Sequence, residues 1–323
     1  MNRKAICLLS GGLDSLIAIG LIKSQGIECI GINFTSPFFS NKMSEDAKKQ
    51  FDFEYKEIKV GEDYLDMLKN PPHGYGSAIN PCIDCKIYMM SKVKDMLTTL
   101  DASFVVSGEV LGQRPMSQHR KAMDLIEKKS GLTGLLIRPL CAKHLPPTLP
   151  EIEGIVDREK LLSISGRTRT TQIEIAKQLQ VKDFTSPAGG CLLTEKYYGV
   201  KFRDFLEFYP DAKIADFEII KYGRHFKFNN NKIISGRNDF ENHKLLELKK
   251  DDDLYFSVPN YGSPLTILKG EKTEESIKFA AQITALYSDC KDESIEVEYG
   301  DSNTKITVQK IDRKDSDKYN LAV

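Results

Sequence analysis

The chain has 323 residues, with 46 Lys and Arg balanced by 46 Asp and Glu. A hydrophobic share of 41% and a charged share of 28% exclude disordered, collagenous and membrane-spanning classes, and the neutral total gives no general attraction to nucleic acid. The longest apolar run near the start, Leu16 to Ile22, is far short of the roughly 20 residues that cross a bilayer. At about 150 residues per domain, two domains are expected. Residues 5–9 read as a buried parallel strand ending at Ser10-Gly11-Gly12. A helix follows over Ser15–Lys23, then a strand at Glu28–Phe34, a helix around Ser44–Phe51 and a strand at Tyr55–Val60. Helical patterns over 84–100 and 117–129 separate strands at Ser103–Ser107 and Leu135–Pro139. This alternation predicts an α/β domain with a parallel sheet over residues 1–195, its site beyond the carboxyl ends of the strands.

After Cys191 the texture changes. Short alternating segments at Ala215–Lys221, Lys232–Ser235, Asp253–Val258, Leu265–Lys269, Ile295–Tyr299 and Lys305–Val308 read as strands, with one helix at Glu274–Tyr287. They predict a smaller α+β domain over 223–311. Residues 196–222 are expected to link it to the first, and 312–323 to form a frayed, charged tail.

Ser10-Gly11-Gly12-Leu13-Asp14-Ser15 joins the first strand to the first helix. Its glycines let the backbone approach a phosphate, its serines can donate, and the helix start adds a positive dipole. No Lys completes a Walker A loop. Asp14 would repel phosphate unless a cation intervened, and Mg²⁺ is the natural one. This hexapeptide resembles the signature of the PP-loop ATP pyrophosphatases, which adenylate a carbonyl oxygen and release pyrophosphate. The resemblance implies ATP on Ser10, Gly11, Gly12, Asp14 and Ser15. A second stretch, Ser107-Gly108-Glu109-Val110-Leu111-Gly112-Gln113, followed by Pro115-Met116-Ser117-Gln118 and by Arg138-Pro139-Leu140, resembles the 4-thiouridine synthetase family. It implies that Gly108 and Gln113 complete the nucleotide pocket.

Seven cysteines are too few for a disulfide scaffold, and the odd count fits a reducing, cytoplasmic setting. Cys7 and Cys29 lie in apolar runs and read as small buried residues; Cys141 and Cys290 carry no pattern. Cys82 and Cys85 stand three apart before a helix, which is expected to lower their pKa. Cys191 follows the flexible Pro187-Ala188-Gly189-Gly190 turn. A [4Fe–4S] cluster, a zinc ion and a redox disulfide all suit three thiols. Asn80-Pro81-Cys82-Ile83-Asp84-Cys85 is similar to the active-site segment of the tRNA 2-thiouridylases. PP-loop thiolases of the three-cysteine subset imply a [4Fe–4S] cluster on Cys82, Cys85 and Cys191, whose open iron holds hydrosulfide.

Seven Lys and Arg against two acids over 112–146, and five against one over 160–182, form local basic stretches. Such stretches bind phosphate backbones; Arg114, Arg138, Arg167 and Arg169 are the expected RNA contacts. Beyond Gly223, Ser235-Gly236-Arg237-Asn238-Asp239, Asn242 and Asp252-Asp253-Leu254-Tyr255-Phe256 resemble the RNA-binding domain of the NFACT ribosome quality-control factors. Arg237 is the expected phosphate contact there, with a salt bridge to Asp239 or Asp253 the structural alternative. Because the chain opens on a strand, the RNA-capture domain of 4-thiouridine synthetases is expected to be replaced by this module. These resemblances imply an ATP-dependent tRNA uridine thiolase using Mg²⁺ and a [4Fe–4S] cluster, with tRNA and a sulfur donor (sulfide or a cysteine desulfurase) as partners. A cluster-free persulfide mechanism on Cys85 and Cys191, with Asp14 as the third catalytic residue in either case, is the first rival. A small-molecule ligase or amidotransferase and a tRNA-binding adaptor are the others. Oligomeric state, a homodimer included, and the uridine modified stay open.

Overall fold

The computed structural model describes residues 1–39, 53–181 and 190–322. It divides into two compact units, Met1–Thr194 and Glu195–Val323.

The first unit contains β1 (Lys4–Leu8), α1 (Leu13–Lys23), β2 (Glu28–Thr35), β3 (Glu54–Lys59), α2 (Glu62–Lys69), α3 (Cys82–Met96), β4 (Phe104–Ser107), α4 (Arg120–Lys129), β5 (Leu136–Ile137) and α5 (Thr170–Gln178). The five strands are parallel, in the order β3-β2-β1-β4-β5. Ala5, Ile6 and Cys7 on β1 are all buried, as both faces of a helix-covered sheet require. Leu16, Ile17 and Ile19 bury different sides of α1, so that helix lies inside the unit between the sheet and α5. The chain leaves β1 towards β2 and β3, then returns to place β4 on the other side of β1. The switch point between β1 and β4 is where a parallel sheet opens a crevice at its carboxyl edge. The helix expected around Ser44–Phe51 and the turn at Pro187–Gly189 lie outside the described residues.

The second unit contains α6 (Lys196–Phe208), β6 (Arg224–Phe228), β7 (Asn231–Ser235), α7 (Asp239–Leu248), β8 (Leu254–Ser257), β9 (Thr266–Lys269), α8 (Glu274–Leu286), β10 (Ser294–Tyr299), β11 (Thr304–Gln309) and α9 (Arg313–Asp317). Its six strands pair antiparallel in the order β11-β10-β8-β9-β7-β6. One face is covered by α8, whose Phe279, Ala280, Ala281 and Ile283 pack on Ile233, Phe256, Leu268 and Val297.

Three expectations are corrected. Residues 196–222 are not a loose linker: α6 and the 3₁₀ helix Ile214–Lys221 stack Phe202 on Phe217 with ring centroids 4.7 Å apart. Asp204 of α6 also meets the buried Lys232 of β7. The Ala215–Lys221 segment is therefore a helix and not a strand. Asp216 Oδ2 accepts from the Lys213 amide at 2.8 Å, a cap that starts a helical turn. Nor is the tail frayed. Beyond α9, Lys227 N donates to Tyr319 O at 2.8 Å and Leu321 N to His225 O at 2.9 Å, so the tail runs along β6, an edge strand of the sheet. No helix among the described residues is long and apolar enough to cross a membrane.

Candidate functional site

The phosphate loop closes on itself between β1 and α1. Gly11 has φ 68°, in the left-handed region that glycine enters without strain. Ser15 is buried, and its hydroxyl donates to Gly12 O at 2.8 Å while receiving the Ser10 amide at 3.4 Å. That hydroxyl thus shapes the loop, and Ser10 keeps an exposed edge. Helix α1 begins at Leu13, directing its positive end into the loop.

Gly108 is needed for a different close approach from the one expected. A Cβ there would lie 2.7 Å from the Asp14 carbonyl and the Ser15 amide, so the loop after β4 rests on the phosphate loop itself. From that second loop Gln113 Nε2 donates to Asp14 Oδ2 at 2.7 Å. Arg169, at the start of α5, reaches the same oxygen at 3.5 Å. Gln113 Oε1 accepts from Gln172 Nε2 at 3.0 Å. Asp14 Oδ1 is buried and finds no hydrogen-bond partner among the described residues. A carboxylate oxygen left open beside a phosphate loop fits the hard, oxygen-seeking Mg²⁺ expected there.

The three cysteines gather at the same edge of the sheet. Cys82 and Cys85 lie on the first turn of α3. Cys191 pairs with Phe39 in an isolated bridge just beyond β2, and Leu192 N donates to Phe38 O at 2.9 Å. Burial pushes the Cys85 thiol up to about 11. Burial, and then the nearby Cys85 sulfur, pushes Cys191 up to about 12. The helix start was expected to lower Cys85; burial outweighs it. Each sulfur of the pair faces a donor: Asn80 Nδ2 lies 3.1 Å from Cys82 Sγ, and Tyr64 Oη lies 3.4 Å from Cys85 Sγ. Tyr64 is fully buried. Burial first, then the Cys85, Cys191 and Cys82 sulfurs, raises its hydroxyl well above the usual range, so it stays a donor. Asp84, between the cysteines, holds His73 through its ring at 2.6 Å and its amide at 3.0 Å. Among the described residues no His, Cys, Asp or Glu group is gathered tightly enough to hold a single metal ion. Thiols are the ligands a [4Fe–4S] cluster takes, and two of these three have hydrogen-bond donors beside them.

The loop after β4 touches both sites. Glu109 Oε1 lies 3.7 Å from Lys86 Nζ, one residue past Cys85, and Asn80 Nδ2 lies 3.9 Å from Met116 Sδ. Gly108 meanwhile abuts Asp14.

The expected RNA contacts separate into two groups. Arg114 and Arg167 are exposed. Arg138 is not an RNA contact: only 2% of its side chain is exposed, and it binds Glu109 Oε2 at 3.0 Å, Glu127 Oε2 at 2.7 Å and Met123 O at 3.2 Å. Its charge is consumed inside the unit. In the second unit, Arg237 is half exposed and pairs with Glu241, not with Asp239 or Asp253. Glu241 also accepts the Gly223 amide at 3.1 Å. Nearby, Arg224 stacks on Tyr287 at 4.2 Å and donates to Gly236 O at 3.3 Å. Lys201 Nζ donates to Gly223 O at 3.1 Å, and burial followed by Arg237 holds it down to about 8.

Cys7, Cys29, Cys141 and Cys290 are buried, free thiols. Tyr64 and Gln172 enter this geometry although no local pattern announces them. Asn80, inside the Asn-Pro-Cys segment, and Glu109, inside the Ser107–Gln113 stretch, lay within motifs.

Comparison with known proteins divides the chain along similar lines. Residues 1–144 match the family model of the thiamine biosynthesis protein ThiI, and residues 223–320 match that of the NFACT protein RNA binding domain. A probable tRNA sulfurtransferase of Ureaplasma parvum serovar 3 is 27% identical over 182 residues, 54% of this chain and 43% of that protein. The tRNA-specific 2-thiouridylase MnmA 2 of Fusobacterium nucleatum is 31% identical over 114 residues, 33% of each chain. The chain therefore spans less than half the length of these curated relatives. A crystal structure of a 4-thiouridine synthetase–RNA complex with bound ATP aligns over 68% of this chain and 52% of its own, at 19% identity and a TM-score of 0.37, too low a likeness to argue from. The chain thus joins a segment that matches the ThiI family to one that matches the NFACT RNA-binding domains.

Proposed function

We propose that this protein is an ATP-dependent tRNA uridine thiolase of the cytoplasm. The observation that carries this reading is the meeting of two sites through one loop: residues 108–116 touch Asp14 of the phosphate loop on one side and the surroundings of Cys82 and Cys85 on the other. A carbonyl oxygen is a poor leaving group until it is adenylated, so nucleotide and sulfur must act on one atom from adjoining sites. The Ser10–Ser15 loop holds the triphosphate, with Asp14 holding Mg²⁺. The uracil oxygen attacks the α-phosphorus and pyrophosphate leaves; sulfur then adds at the ring carbon and AMP departs with the oxygen.

Cys82, Cys85 and Cys191 hold a [4Fe–4S] cluster in this reading. When bound, it supplies an iron with an open position for hydrosulfide. Tyr64 and Asn80 donate to two of the sulfurs and orient them. The persulfide rival would use Cys85 and Cys191 without a metal, so the iron content of active protein separates it from this reading. A small-molecule ligase would have no use for an RNA-binding domain. Arg224 and Arg237 of the second unit are the residues that would meet the tRNA backbone.

Mass spectrometry of tRNA nucleosides from a deletion strain tests the activity. A thiouridine should vanish, return with the wild-type gene, and stay absent with Cys85→Ser or Asp14→Ala. Unchanged nucleosides in the deletion strain would sink the proposal. Anaerobically reconstituted protein should bind about four irons per chain and lose them in Cys82→Ser, Cys85→Ser and Cys191→Ser, with ATP binding intact in all three.

A further inference from the structure

The Ser-Gly-Arg-Thr-Arg turn points to Arg167 and Arg169 as RNA contacts, yet the folded chain treats the two differently. Arg167 is exposed. Arg169 turns inward, with 18% of its side chain exposed and its guanidinium 3.5 Å from Asp14 Oδ2. The same oxygen accepts from Gln113, and Gln113 accepts from the completely buried Gln172. The direction of this relay is forced. A carboxylate oxygen only accepts, so Gln113 must offer its amide nitrogen to Asp14 and its oxygen to Gln172, which must donate. Arg169 and Gln172 stand three apart, so one end of α5 delivers both. That end is fastened to the loop after β4, where Gly166 N donates to Leu111 O at 2.8 Å and Ser165 bridges to Leu111.

An arginine beside a carboxylate in a loop shaped for phosphates faces two anions in turn. Asp14 has Arg169 and Gln113 on Oδ2, while its buried Oδ1 has no hydrogen-bond partner among the described residues. A nucleotide arriving with Mg²⁺ changes both needs. Asp14 would hold the cation through its open oxygen, and a triphosphate would offer the Arg169 guanidinium a bidentate partner.

We propose that Arg169 is a ligand of the ATP triphosphate and not an RNA contact. It pairs with Asp14 and would pass to a phosphate oxygen on nucleotide binding, Asp14 then holding Mg²⁺. Gln172 is a positioning residue that acts through Gln113 to hold Asp14 in place for that exchange. No covalent bond forms or breaks; one ion pair is replaced by two. This inference rests on the ATP-using reading above.

Calorimetry of Mg²⁺–ATP binding to the full chain, alongside tRNA binding without nucleotide, tests it. Arg169→Ala should weaken Mg²⁺–ATP binding about ten- to a hundred-fold, and Arg169→Lys should recover most of that loss. Gln172→Met, of similar volume, should weaken Mg²⁺–ATP several-fold but leave Mg²⁺-free ATP unaffected, which mere loosening of the fold would not do. All three should bind tRNA as the wild type does. Wild-type ATP affinity in Arg169→Ala, or reduced tRNA affinity with ATP binding intact, would overturn the proposal and leave the thiolase reading standing. A wild-type chain that binds no ATP would overturn both. Should Arg169→Ala not fold, Arg169→Lys and Gln172→Met carry the test, and full affinity in Gln172→Met with and without Mg²⁺ would remove the relay.

Discussion

Glu109 is buried between two cations of different origin. Arg138 fixes it from β5, and Lys86 approaches from α3. Burial alone would raise its carboxyl, but Lys86 and Arg138 together hold it below the ordinary value of 4.5. A depressed carboxylate contributes stability in full above its unfolded pKa, and the contribution is lost as pH falls through the folded one. Glu109→Gln should therefore cost about 3 kcal/mol at neutral pH, where it leaves Arg138 short of a buried partner. The difference from wild type in urea unfolding should shrink as pH falls below about 4.5; a gap independent of pH would mean that packing, not charge, is what the variant loses. The same pairing explains a misreading. Arg138 belongs to a run of basic residues, and charge counting cannot distinguish a solvated guanidinium from one that two glutamates enclose. By contrast, Ser10–Ser15 and Cys82–Cys85 were legible because their chemistry lies within six residues of chain. Gln172 and Tyr64 were not, since their partners are brought to them only by the fold.

Strands β1, β2, β4 and β5 could be read because each is a short, mostly apolar run bounded by turn residues and buried in the sheet, whereas β3 is a polar edge strand. Helix α6 and the turn after it could not be read in this way. Tyr198, Phe202 and Phe205 stand at helical spacing on α6 and are buried. Phe217, which Phe202 and Phe205 meet, comes from the turn after it, so the helix shows an apolar face without showing what covers it. The NFACT family match begins at residue 223, but the compact unit begins at Glu195. The buried Phe202, Phe217 and Ile220 and the Asp204–Lys232 pair account for the difference. A protein starting at Gly223 should lose that layer and unfold at markedly lower urea than one starting at Glu195. Phe217→Ala within the longer protein should cost about 3–5 kcal/mol. Equal midpoints for the two lengths would show that residues 195–222 are dispensable to the fold.

At the scale of the whole molecule, a neutral chain joins a parallel sheet with a candidate site at its carboxyl edge to an antiparallel sheet whose residues match the NFACT RNA-binding domain family. The two clusters of buried apolar residues belong one to each unit. In the second sheet β6 lies at an edge. It would present an open row of amides and carbonyls to any passing strand, were Tyr319–Leu321 not laid along it. Those last residues act as a chain stopper does in polymer growth, occupying the position at which the next unit would add. Removing residues 312–323 should therefore shorten the shelf life of the protein before it lowers the melting point. Turbidity should rise with the square of concentration or faster, and β-sheet signal should grow as soluble protein is lost. First-order loss, indifferent to concentration, would show that the tail merely supports its own unit.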